Sequence, residues 1–203
     1  MVIDTMEEQT RMSLQNFADT YMGQIEAQMA NTQSLLYYFL TDTDFIKMNL
    51  ETEKTYDYQR AKHKFFNSLK NMANMTNGVD GYFYYMKKID DTIVYDSNPA
   101  ESGQIYKQVS EFIKKQLNNQ VKRGWHIYQI NSQQYLFFIA NTKDIAYGGW
   151  LNLDPLKIKL KKGLDYSDFS VSFSETKEDI IDNQLIMVSS SIKGIYLNIS
   201  MNR

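Results

Sequence analysis

Residues Gly81–Asp96 read GYFYYMKKIDDTIVYD, and this stretch decides the fold. Its first part, Gly81–Lys87, is aromatic or apolar at nearly every position. Asp90-Asp91 supplies turn residues and Thr92–Asp96 a β-prone return, so a β-hairpin is predicted. A strand apolar at successive positions has two dry faces, and both must be covered. The same holds for Tyr135–Ala140, YLFFIA. Two such strands predict a sheet with a helix behind it and further cover in front.

Upstream, Asp4 to Leu40 holds Gly23 as its one Gly and has no Pro. Apolar residues recur at Leu14, Phe17, Tyr21, Ile25, Met29, Leu36 and Phe39, the spacing of one helical stripe. At 1.5 Å per residue this helix is about 50 Å long. The stripe is broad and aromatic, not a strict Leu/Ile seam, which favours a domain-spanning helix over a coiled-coil segment. Thr43 or Asp44 is expected to cap a short turn reaching Leu50. A second long helix is predicted over Thr55–Met75, with Tyr58, Ala61, Phe65, Leu69 and Met72 inward.

Downstream, Ser97–Ser102 reads as a loop. A third helix is predicted over Gly103–Asn119, with Ile105, Val109, Phe112, Ile113 and Leu117 facing inward. Strands follow at Trp125–Ile130, Gln134–Ala140 and Ala146–Leu153, joined by short turns. That makes five antiparallel strands with one helical insertion. Asp154-Pro155 is expected to open a short helix, with Asp154 as its cap. Beyond residue 165 the alternation is clean: Phe169, Val171 and Phe173, then Ile195, Leu197, Ile199 and Met201. One dry and one wet face are expected there. The expected class is α+β. Residues 1–78 would form the long helix and its successor, 79–164 the sheet with its inserted helix, and 165–203 a small β subdomain.

The composition excludes several chemistries. The 203 residues include no Cys and two His, so thiolate catalysis, Cys-ligated zinc, disulfides and a three-His metal site are impossible. With 22 Lys+Arg against 24 Asp+Glu, the net charge of −2 gives no footprint for nucleic acid. The longest apolar runs are far short of the ~20 residues a membrane span needs. No phosphate loop, dinucleotide fingerprint, nucleophile elbow or zinc-protease motif occurs. No cofactor and no enzymatic activity are expected. His63 lies in the second helix between Lys62 and Lys64 and reads as a surface residue. Lys87-Lys88 and Lys157–Lys162 read as solvated faces.

The order of elements resembles the extracytoplasmic Cache sensor domain of bacterial membrane receptors, most closely that of sensor histidine kinases. The residues that carry the resemblance are the long amphipathic helix, Asn67–Asn98 (NSLKNMANMTNGVDGYFYYMKKIDDTIVYDSN) and Gly124–Leu160 (GWHIYQINSQQYLFFIANTKDIAYGGWLNLDPLKIKL). The resemblance implies a PAS-like five-stranded antiparallel sheet, a long helix behind it, a ligand pocket in front and a reduced membrane-proximal subdomain. It also implies membrane spans before the first helix and after Arg203, and a place outside the cell membrane.

Some Cache domains hold amino acids through an Arg-x-Trp-Tyr segment and a downstream Asp. Here the segment reads Arg123-Gly124-Trp125-His126, with His in place of Tyr, and the Asp position falls on Asn152. Without that negative charge an uncharged or anionic small ligand, or none, is as well supported as an amino acid. Trp125, Tyr128, Tyr147 and Trp150 are aromatic groups with polar handles, of the kind that line ligand sites or fill cores. Strand alternation places Trp125 and Ile127 on one face and His126 and Tyr128 on the other. The expected function is therefore a small-molecule-sensing input domain, relaying through the first helix and last strand. Its alternatives are a structural module that dimerises through the first helix, or the input of a membrane-bound transcription regulator or chemoreceptor.

Overall fold

The computed structural model of the chain describes residues 2–76, 78–97, 102–118, 123–164, 169–177 and 184–202. Residues 98–101 of the expected loop, Asn119 at the end of the expected third helix, and the side chain of Ile105 lie outside the described residues. The class is α+β, with a long N-terminal helix, a five-stranded antiparallel sheet and a small three-stranded sheet. The helices are α1 (Val2–Leu40), α2 (Thr43–Leu50), α3 (Tyr56–Met75), α4 (Ser102–Asn118) and α5 (Leu153–Gly163). The strands are β1 (Gly81–Met86), β2 (Asp91–Asp96), β3 (Gly124–Ile130), β4 (Gln133–Asn141), β5 (Ile145–Asn152), β6 (Phe169–Ser174), β7 (Gln184–Ile192) and β8 (Ile195–Asn202). The large sheet has the order β2-β1-β5-β4-β3 and the small one β6-β8-β7.

Three local expectations are corrected. The cap of α2 is Asp42, not Thr43 or Asp44: its carboxylate accepts from the N–H groups of Asp44 (2.9 Å) and Phe45 (3.1 Å). The cap of α5 is Asn152, not Asp154, and it accepts from the Asp154 N–H at 3.0 Å. Pro155 then falls at the third helical position, where no N–H has an intrahelical acceptor and the missing donor costs no bond. The hairpin turn is a 3-10 turn over Lys87–Ile89 followed by Asp90 in the left-handed region at φ 46°, so Asp91 already opens β2 opposite Met86.

The chain divides into two compact units. One comprises residues 28–124 and 137–151. In it, Tyr82, Tyr84 and Met86 share one face of β1, and the register puts Tyr95, Ile93, Tyr147 and Ile145 beside them. The end of α1 and helices α2 and α3 cover this face. Tyr84 is boxed by Phe45 (ring centroids 5.3 Å apart), Phe65 (5.1 Å) and Tyr147 (6.2 Å, stacked). Each such pair adds about 0.5–1.5 kcal/mol beyond its area burial. The Tyr84 hydroxyl donates to the Leu36 carbonyl at 3.3 Å, so a deeply buried phenol keeps a partner. Thr32 interrupts the apolar stripe of α1 because it donates to the Gln28 carbonyl (2.7 Å) and sits over Gly149, where any Cβ would lie 2.9 Å from its methyl group.

The other face of the sheet is closed by aromatic rings. Trp150 is 2% exposed, lies across Gly81 and stacks on Phe137 at 5.9 Å. Phe112 of α4 packs on Phe137 at 4.9 Å. A Cβ at Gly148 would sit 2.6 Å from the Phe83 ring and closer still to the Phe138 carbonyl, so the strand is bare there to admit that ring.

The other unit comprises residues 1–27, 125–136 and 152–203. Leu14, Ala18, Met22 and Ile25 of α1 are buried in it. Phe169, Val171 and Phe173 pair with Met201, Ile199 and Leu197, giving the small sheet its dry face. Gln15 donates to the Ser189 carbonyl at 3.1 Å. The β3–β4 turn places both Asn131 (φ 49°) and Ser132 (φ 67°) in the left-handed region, as a two-residue hairpin demands.

Candidate functional site

Strand alternation puts Gly81, Phe83 and Tyr85 of β1 on the α4 side of the sheet. Toward Gly81 that side is filled by rings. Toward Tyr85 it opens into a cleft of about 490 Å³, lined by Tyr85, Lys87, Asp90, Lys114, Leu117 and Asn141. The volume lies within the range of small-ligand sites, roughly 300–1,000 Å³.

Two polar clusters form the walls. Asp90 accepts from Lys114 at 2.5 Å and from the Tyr85 hydroxyl at 2.9 Å. These bonds hold its carboxyl below the usual carboxylate range. The Lys114 ammonium also lies 5.6 Å from the Tyr85 ring centroid, close enough for a cation–π contact. Opposite, the Lys87 ammonium donates to the Asn141 side-chain oxygen and the Thr142 carbonyl. Both acceptors are uncharged. Desolvation lowers the Lys87 pKa, only partly countered by Asp144. An ammonium has three N–H donors, and among the described residues two are taken, which leaves one for a third acceptor. A carboxylate or phosphate oxygen there would restore the charge balance.

The residues singled out in the sequence divide between the two units. Arg123, Tyr147 and Trp150 belong to the larger sheet's unit. Arg123 donates to the Tyr37 hydroxyl, with its guanidinium 5.8 Å from the Tyr37 ring centroid. Tyr37 meets Tyr147 edge-on at 6.5 Å. Arg123 and Tyr147 thus come together through Tyr37. Trp150, an odd number of residues from Tyr147 on β5, is on the opposite face among the rings.

Trp125, His126, Tyr128 and Asn152 belong to the other unit. Trp125 is buried. The His126 and Tyr128 rings are 6.3 Å apart on one face of β3. Glu175 accepts from the Ile127 N–H at 2.6 Å and has its other oxygen 3.5 Å from His126 Nδ1. Asn152 is occupied as the α5 cap.

A third cluster is structural. The Asp91 carboxylate, 9% exposed, accepts from the Tyr58 hydroxyl and the Lys62 ammonium, both at 2.6 Å, with Lys54 at 3.4 Å. Burial acts to raise its pKa, but the bonds from Lys62 and Tyr58 outweigh this and hold the carboxyl below its ordinary value. Among the described residues no group of three or more His, Asp and Glu is placed to hold a metal ion.

Sequence reasoning misses the cleft because it reads Lys87 as part of a solvated run and Asp90 as a turn residue. The signal was present: Lys87 continues the row Gly81, Phe83, Tyr85, so a cation ends the ring-bearing face of a strand. No model of a known protein family matches the chain, and no curated protein matches it.

Proposed function

We propose that the chain is a Cache-like input domain of a bacterial membrane signalling receptor, most like a sensor histidine kinase, outside the cell membrane, and that a small polar ligand bearing negative charge enters the cleft beside Lys87. The observation that carries this reading is the cleft itself: a partly buried Lys87 whose ammonium acceptors are both uncharged, facing the Tyr85 ring and a Lys–Asp pair. The cleft is walled by β1, β4 and α4, and α1 packs on the opposite face of the same sheet. A ligand that fits one arrangement of α4 better than another shifts the population of that arrangement. The 39-residue α1 contributes core residues to both units, so it is the element to carry the shift. Any kinase or other output lies outside this chain.

A thermal-shift survey of small carboxylates, zwitterions and inorganic phosphate tests the reading. A ligand at one hundred times its Kd adds about 2.7 kcal/mol, which raises Tm by about 5–10 °C for a chain of this size. Lys87→Gln is expected to abolish the shift while folding normally. No active compound, or an undiminished shift in Lys87→Gln, contradicts the reading.

The closed packing of Trp150, Phe137, Phe112 and Phe83 favours a second reading, a structural module that dimerises through α1 without a ligand. Light scattering that finds a stable dimer, broken by charge reversal on the exposed face of α1, together with a silent ligand survey, would select it.

A further inference from the structure

Helix α5 carries four Lys and one Asp in a chain whose net charge is −2. It turns Leu153 and Leu160, with Leu164 just beyond its end, into its unit's core. At 100° per residue Ile158, Lys159 and Lys162 fall on the opposite arc and Lys161 on its flank, and all four are exposed. Lys157 is paired with Asp154 at 3.0 Å. Among the described residues no carboxylate lies within ion-pair reach of Lys159, Lys161 or Lys162.

The helix dipole accounts for cations in the last turn, where the unpaired carbonyls lie. It does not account for Ile158, 56% exposed in their midst. Like charges three residues apart on one face, Lys159 and Lys162, also weaken the helix slightly. An arc of ammonium groups around an exposed branched apolar side chain matches one kind of surface: an anionic phospholipid layer. Headgroup phosphates neutralise the ammonium groups, the lysine stems lie along the boundary, and the isoleucine enters the apolar margin. A helix face is convex, which suits a deformable lipid surface better than a folded partner. We infer that the outer face of α5 docks on anionic membrane lipid. This does not depend on the ligand-sensing role.

The test is co-sedimentation of the chain with phosphatidylcholine vesicles, with and without about one-third phosphatidylglycerol. Binding is expected only with the anionic lipid and is expected to fall with added salt. Each lysine near the surface is worth about 1 kcal/mol, or roughly fivefold. Lys159→Gln/Lys161→Gln/Lys162→Gln should therefore weaken binding about 100-fold, and Ile158→Ser should weaken it without removing the salt dependence. A control with the same charge change elsewhere, Lys64→Gln/Lys70→Gln/Lys143→Gln, should bind as the unaltered chain does. No binding to anionic vesicles overturns the inference, even where the face captures an acidic protein. So does equal loss in the control, because overall charge rather than α5 would then be responsible.

Discussion

Gly81→Ala places a methyl group where the indole of Trp150 lies: the three atoms nearest to such a Cβ all belong to that ring. The ring has little room to retreat, being 2% exposed and stacked on Phe137. Overpacking of this kind costs about 1–3 kcal/mol, and the upper end is expected here. Trp150→Ala alone removes the ring and costs about 3–5 kcal/mol. In the double variant the three atoms nearest to the added methyl are gone. It also relieves the strand of a glycine, a gain of about 0.5–1 kcal/mol. Gly81→Ala should thus destabilise the natural sequence and stabilise the Trp150→Ala background, a coupling of about 2–4 kcal/mol. Urea unfolding followed by far-UV circular dichroism, with an unchanged m-value, measures it. Equal cost of Gly81→Ala in both backgrounds would refute the packing argument and assign the glycine to some other need.

Asp91→Ala is expected to cost about 2–3 kcal/mol, below the 3–5 typical of a broken buried ion pair, because Lys62 (26% exposed) and Lys54 (48%) rehydrate. The folded pKa of Asp91 lies below its unfolded value of about 3.9, so its stabilisation is complete above that pH and fades as pH falls through the folded value. The gap in urea midpoint between the natural chain and Asp91→Asn should accordingly be wide at neutral pH and close in strong acid; a gap independent of pH would contradict the assignment. Asn152→Ala removes the α5 cap, at about 1 kcal/mol of stability; ligand-induced thermal shifts should be unaffected, and their loss would return Asn152 to the binding site.

The fold was legible where one physical signal dominated. The spacing of Leu14, Phe17, Tyr21, Ile25, Met29, Leu36 and Phe39 marks α1; all are buried except Phe17 and Tyr21, which are half-buried. The doubly apolar GYFYYM and YLFFIA runs mark central strands, and β1 and β4 are buried accordingly. Helix starts were less legible. At Asp42 and Asn152 the capping side chain stands one or two residues before the position that sequence favoured, and several cap-forming residues compete within each stretch. The candidate site was the least legible part. Its walls come from Lys87 and Asp90 near the hairpin turn, Lys114 on α4 and Asn141 at the end of β4, and no spacing rule links them. Trp150 and Tyr147 share a strand, pack on opposite faces of the sheet and are both buried outside the cleft, so aromatic composition alone points to the core and not to the cleft.

The central claim is that a ligand in the cleft beside Lys87 alters α1. Amide hydrogen exchange, with and without the compound that most raises Tm, tests it most directly. Slowed exchange is expected at Tyr85–Asp90 and at Lys114–Leu117, with a change in Gln28–Leu40 of α1, all absent in Lys87→Gln. Protection confined to other segments, or an α1 whose exchange is unmoved by the bound compound, would contradict it.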